Sequence, residues 1–241
     1  MPRLALLAVL AALTLAACSS GDTQISSTNI VSRIPWAGAD AAKYRVLDNQ
    51  DNVVGTVDLT IEPQPDNTLL LHQYYDFPDK KFTNEAKVIV DPTTLEPKSS
   101  SFKIVGPQGN LDCAGTYEDG QLKVHRIGED GTRDDALPVP NIAYDSWGDL
   151  FVWRTLDFSK GFQIDYADVL SCTLDKTQKL GVSLDVKSQE SVTVPAGTFD
   201  TWKMEIHSGG ATQTAWYSTD DKHTLIRYDN GTNKFELTQA P

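Results

Sequence analysis

The chain has 241 residues, 40% of them hydrophobic and 22% charged, and its 33 acidic side chains against 21 basic ones give a formal charge of −12. Such a surface is repelled by polynucleotide phosphates and by anionic lipid head groups, which excludes DNA and RNA as partners. The length is enough for one large β-domain or two small ones with a buried core.

Residues 1–17 begin with Arg3 and continue through an apolar run from Leu4 to Leu15, broken only by Thr14. A dozen apolar residues cannot cross a bilayer core ~30 Å thick, which takes roughly 20 helical residues. The basic flank, short apolar core and small residues describe a secretory signal rather than a membrane helix. The next tetrapeptide, Leu15-Ala16-Ala17-Cys18, resembles the lipobox of bacterial lipoproteins. That resemblance implies cleavage after Ala17 and lipidation of Cys18, with a bacterial cell-envelope location on the extracytoplasmic side. One acyl chain holds only marginally, whereas the two or more implied here would make release negligible. Ser19 rather than Asp follows the anchor, which resembles outer-membrane sorting, facing the periplasm, in a host with two membranes. Residues 18–40 are rich in Ser, Thr, Gly and Asp and lack periodicity; they read as a flexible tether with a reach of ~25 Å. Loss of residues 1–17 removes Arg3 alone among the charged residues and leaves −13, so membrane contact is expected only through Cys18.

Residues 41–241 form the body, read as one β-domain that divides into two duplicated halves at about 41–140 and 141–241. Apolar residues take every second place in Thr56-Val57-Asp58-Leu59-Thr60-Ile61, again at Trp202, Met204 and Ile206, and again at Phe235 and Leu237. A period of 2 is that of a strand with one face buried. Turn clusters such as Pro65-Asp66-Asn67, Asp91-Pro92, Asp119-Gly120 and Pro195-Ala196-Gly197 separate these runs, the spacing of an antiparallel sandwich or barrel. Gly128 to Pro140 reads as a loop, and one short helix follows it, with Asp145 or Ser146 as cap and Trp147, Leu150 and Phe151 on one face. Val88-x-Val90-Asp91-Pro92-x-Thr94-Leu95 and Val192-x-Val194-Pro195-x-x-Thr198-Phe199 lie at a constant offset, the mark of an internal repeat. The fold expected is all-β and antiparallel, a barrel-like shell or two facing curved half-sheets, with about twelve strands and one short connecting helix. Cys113 and Cys172 either pair as a disulfide or stay as separate buried thiols; spacing alone leaves both open.

The run Ser191-Val192-Thr193-Val194-Pro195-Ala196-Gly197-Thr198-Phe199-Asp200-Thr201-Trp202-Lys203, with Ala215-Trp216-Tyr217-Ser218 and Leu225-Ile226-Arg227-Tyr228, resembles the C-terminal signature of DUF3108, a family of exported bacterial proteins of unknown function. Gly55, Asp91 to Pro97 and Leu156 to Gly161 extend the likeness to residues 44–238. The resemblance implies an all-β, barrel-like fold and supplies no catalytic residues.

No phosphate-binding glycine loop, His-Glu-x-x-His, Cys-x-x-Cys or Gly-x-Ser-x-Gly is present. His72, His125, His207 and His223 are scattered, and the acidic turns lack the ladder of a calcium loop. No catalytic residue, metal or cofactor is therefore expected, and the chain does not read as an enzyme. Eight aromatic residues crowd the second half: Trp147, Phe151, Trp153, Phe162, Tyr166, Trp202, Trp216 and Tyr217. If the sheets curve around a space these would line an apolar pocket; otherwise they fill a core. The function expected is a lipid-anchored binding module for a lipid or other apolar or amphipathic small molecule. The alternative is a structural lipoprotein with a filled core that docks an envelope protein.

Overall fold

A computed structural model of the chain describes residues 27–107, 109–173 and 176–241. The signal peptide, Cys18 and the first part of the tether lie outside these residues. The first half is a run of antiparallel strands: β1 (Asp40–Leu47), β2 (Val53–Pro63), β3 (Leu69–Phe77), β4 (Phe82–Val90), β5 (Pro97–Val105), β6 (Leu111–Glu118), β7 (Gln121–Gly128) and β8 (Gly131–Pro138). The second half holds β9 (Tyr144–Asp145), α1 (Asp149–Val152), β10 (Gln163–Leu170), β11 (Gln178–Val194), β12 (Gly197–Ser208), β13 (Ala211–Ser218), β14 (Leu225–Asp229) and β15 (Lys234–Gln239).

All fifteen strands belong to one sheet in the order β8-β7-β6-β5-β4-β3-β2-β1-β15-β14-β13-β12-β11-β10-β9. β1–β8 form one meander and β10–β15 another, with β9 added parallel to β10, and the halves are zipped together where the first strand meets the last, Tyr44 opposite Leu237 and Val46 opposite Phe235. The chain makes a single long jump between residues 139 and 143, from one end of the sheet to the other. The sheet is curled but not closed by a hydrogen-bond ladder. Its ends meet through side chains instead.

Alternation drives the curl, because the inner strands each hide one face. In β2, Val57, Leu59 and Ile61 are buried while Thr56, Asp58 and Thr60 are not, and they face a core shared with Leu71, Val88, Met204, Ile206 and Leu237. A second, smaller core of Phe102, Ile104, Leu111, Cys113, Leu122 and Val124 meets Ala167, Val169 and Cys172 from the opposite half. The Cys113–Cys172 disulfide crosses that contact, with Cα atoms 6.0 Å apart. Beside it Arg126 of β7, only 3% exposed, donates to the Thr173 and Ser171 carbonyls at 3.2 and 3.3 Å and to Thr177 Oγ1, and pairs with Asp135. One side chain thus satisfies carbonyls that no strand partner reaches.

Three details differ from the sequence expectation. Fifteen strands among the described residues replace about twelve, and one of the additions is Gly131–Pro138, read as part of a loop but an edge strand: its side chains Thr132, Arg133, Asp134 and Asp135 are polar on both faces and carry no alternation. Charges of this kind blunt an open edge. The helix is a single turn continued by a 3₁₀ turn at Trp153–Thr155, and its cap position is Gly148 with no side-chain cap. Asp145 Oδ1 accepts the Trp147 N–H at 3.0 Å instead, and the Ser146 hydroxyl bonds Asp168. Part of the stretch read as a tether is also packed on the body. Ile30 is 2% exposed, its N–H donates to the Tyr144 hydroxyl at 3.2 Å, and Ser32 and Arg33 both donate to the Thr155 carbonyl. Arg33 then contacts His223 at 3.0 Å, and Trp36 lies 5.1 Å from the Arg154 guanidinium. Ile30, Val31, Ile34 and Trp36 all pack on the main core, but they belong to no strand or helix, so their burial left no trace in the pattern.

Candidate functional site

Two of the clefts among the described residues share part of their walls. The inner one, about 420 Å³, is walled by Tyr75, Phe77, Leu150, Trp153, Ile206, Tyr228 and Phe235, with Gln73, Asn84, Gln178 and Gln213 among them. The outer one, about 1140 Å³, opens between the turns at the ends of β4–β8 and is lined by Phe77, Phe82, Ile104 and Leu111 together with Lys80, Arg126, Glu129 and Arg133. Phe77, Asn84 and Asn233 line both.

The floor of the inner cleft is acidic. Asp149 opens α1 and Asp168 sits near the end of β10; both line the cleft, together with Ser146. Asp145, Asp149 and Asp168 are 2%, 8% and 2% exposed. Strand β10 puts Tyr166 and Asp168 on one face, and the parallel pairing of Tyr144 with Asp168 and Asp145 with Val169 brings the β9–α1 segment over them. Each carboxylate meets hydroxyls or backbone N–H groups. Tyr117 donates to Asp145 Oδ2 at 2.7 Å, Tyr166 donates to Asp149 Oδ1 at 2.8 Å, and the Ser146 hydroxyl donates to Asp168 Oδ2. Trp153 Nε1 donates in turn to the Tyr166 oxygen at 2.9 Å. Among the described residues Asp168 Oδ1 has no partner, and neither does Asn84 Oδ1.

Burial is the main force on these acids, since removing a carboxylate from water favours its neutral form. It pushes Asp168 up to about 8, against the pull of the Ser146 hydroxyl and with the charge of Asp145 adding to the rise. Asp149 is raised well above the carboxylate range by burial and then by Asp168. Asp145 is raised by burial, moderated by hydrogen bonds led by that from Tyr117. Among the described residues no three His, Cys, Asp or Glu side chains are arranged to hold a metal ion.

The eight aromatics singled out by sequence separate into groups. Trp147 and Trp153 line the inner cleft. Trp147 stacks on Phe102 at 4.2 Å, donates Nε1–H to the Cys172 carbonyl at 3.2 Å, and touches both cores. Tyr166 is buried within the acidic network, while Phe151 and Tyr217 belong to the main core, the Tyr217 hydroxyl donating to the Leu150 carbonyl at 3.0 Å. Phe162 and Trp202 are half-buried against that core and line neither cleft. Trp216 must be corrected. Its register opposite Lys203 and Arg227 puts it on the outer face, where both cations approach its ring and Glu190 accepts its Nε1–H at 2.6 Å. The acids at the cleft floor were not anticipated from sequence. The available signal was Asp168 itself, an ionisable residue inside Tyr166-Ala167-Asp168-Val169-Leu170, where four of the five residues are buried.

Residues 52–238 match the family model DUF3108, a protein of unknown function. No curated protein matches the chain. Among solved structures, the chain is similar to a β-barrel-like protein of domain of unknown function DUF1849 from Brucella abortus, at 12% identity and a TM-score of 0.54, covering 85% of this chain and 97% of that one. A protein of YmcC-like fold from Bacteroides fragilis aligns at 7% identity and a TM-score of 0.30, over 86% of this chain and 96% of the other. The first likeness supports a barrel-like architecture and nothing finer.

Proposed function

We propose that this chain, which belongs to the DUF3108 family, is a non-catalytic binding protein of the bacterial cell envelope, held outside the cytoplasm by lipidated Cys18. Its ligand is amphipathic, with an apolar body between the half-sheets and a polar end at the acidic floor. The observation that carries this reading is a pair of adjoining clefts that share Phe77, Asn84 and Asn233 as lining residues. Concave apolar walls with a few convergent polar groups are the usual form of a small-molecule site. A surface carrying an excess of acid adds no attraction for lipid head groups, so attachment falls to the anchor.

The test is solvent extraction of the protein purified from its native membrane, followed by mass spectrometry. The expected result is one class of amphiphile at near-equimolar amount, lost in the cleft-filling variant Asn84→Trp. An empty extract combined with co-purification of a partner protein would return the reading to a docking lipoprotein. Anchoring is tested separately: Cys18→Ser should move the protein to the soluble fraction, and retention in the membrane would refute that part.

A further inference from the structure

The geometry points to a recognition site for a primary ammonium group at the floor of the inner cleft, formed by Asp168 and Asp149 beside the Trp153 indole, so that the ligand is an amphiphile with a cationic amine end. This rests on the reading that the clefts hold an amphipathic molecule, and it names that molecule's polar end. Two observations meet here. Asp168 is 2% exposed, lines the cleft, and holds an Oδ1 with no donor among the described residues. A buried acceptor left without a donor is costly, so a donor is the group this position lacks.

The second observation concerns charge. Asp168 raises Asp149 and Asp145 raises Asp168, while hydroxyl and backbone donors alone oppose them; no cation acts on either Asp149 or Asp168. Arg126 and Arg154, the buried cations, are engaged with Asp135 and Asp40 instead. A neutral hydroxyl or amide from a ligand would satisfy Oδ1 but do nothing to favour the ionised acid over the neutral form that burial and the neighbouring carboxyls impose. An ammonium does both, because an opposite charge within a few ångströms favours the ionised carboxylate. It also suits the wall, since Trp153 lines the same cleft and cations are drawn to the face of an indole. A ligand ending in carboxylate or phosphate would instead place like charges together in a site of low polarity.

The experiment measures binding of three ligands with one tail, n-octylamine, 1-octanol and octanoate, to the purified chain at neutral pH by calorimetry. The amine stays protonated there, as a lysine side chain does. Octylammonium should bind tighter than octanol by roughly tenfold or more, the scale of one hydrogen bond to a charged group, with octanoate weakest. In Asp168→Asn the ammonium should fall to the affinity of octanol while octanol itself is unchanged, the latter showing that the cleft is intact. Should that variant fail to fold, Asp149→Asn takes its place with the same expectation. Equal binding of octanol and octylammonium to the native chain, or a preference that survives the substitution, overturns the ammonium site alone. Failure of all three to bind overturns it together with the reading beneath it.

Discussion

Cys113 of β6 and Cys172, just past β10, are covalently joined although they lie near opposite ends of a fifteen-stranded sheet. With the ladder open between β8 and β9, the ends are held by that bond, by the Arg126 contacts and by the smaller core that both halves share. Reduction, or the double substitution Cys113→Ala with Cys172→Ala, should therefore lower stability by about 4 kcal/mol on the loop-entropy account. Urea denaturation with and without reductant measures it. A midpoint unmoved by reductant would mean that the two cores hold the curl unaided.

Gly55 occupies the one place in β2 where the backbone of β3 comes too close for a side chain. A Cβ there would lie 2.4 Å from the Asp76 carbonyl oxygen and 2.8 Å from the Phe77 ring. Gly55→Ala should destabilise by about 1–3 kcal/mol, the range of overpacking, despite alanine's lower conformational entropy when unfolded. Thermal denaturation would show it. Phe77 lines both clefts, so ligand affinity should fall as well.

The buried acids predict a pH dependence of unusual sign. Asp168 rises from 3.8 to about 8 on folding, so between these values the folded chain binds more protons than the unfolded one. Stability from this group is present below pH ~4 and is lost as pH climbs toward 8, by up to about 1.4 kcal/mol per unit. Glu85, Asp48, Asp66 and Asp91 are lowered by their hydrogen bonds and act oppositely, gaining stability above the ordinary carboxylate range. The difference between native protein and Asp168→Asn isolates the buried group. That variant should become relatively more stable as pH rises from 5 to 8, and parallel curves would show that Asp168 titrates normally.

Two tryptophans should respond differently to truncation. Trp147→Ala removes the stack on Phe102, the bond to the Cys172 carbonyl and a contact shared by both cores, for about 3 kcal/mol. Trp216→Ala removes an outer-face ring held by Lys203, Arg227 and Glu190, for about 1 kcal/mol. Chemical denaturation of both variants checks the ranking, and ligand retention should change only in the first.

What the sequence made legible follows from range. Alternation in Thr56–Ile61 and in Trp202–Ile206 is local and identifies the β class, and the Val192–Lys203 signature identifies the family that the match over residues 52–238 supports. Strand β8 was hidden because an edge strand with polar residues on both faces has no period to read. The outward turn of Trp216 depends on register, and an aromatic residue reads alike on either face of a strand. The acidic floor was beyond reach for another reason. Asp145, Asp149 and Asp168 become neighbours only when β9 pairs with β10 in parallel, a contact that no local pattern encodes.

The seam between β1 and β15 has a consequence for biogenesis. The strand made first must wait for the strand made last, so during synthesis one rim of the nascent meander stays bare until nearly the whole polypeptide has emerged. Unpaired rims template aggregation, and long-range pairing is slow. A circular permutant opened between residues 139 and 143, with its old termini spliced, would lay down all fifteen strands in spatial order and should mature faster than the natural arrangement.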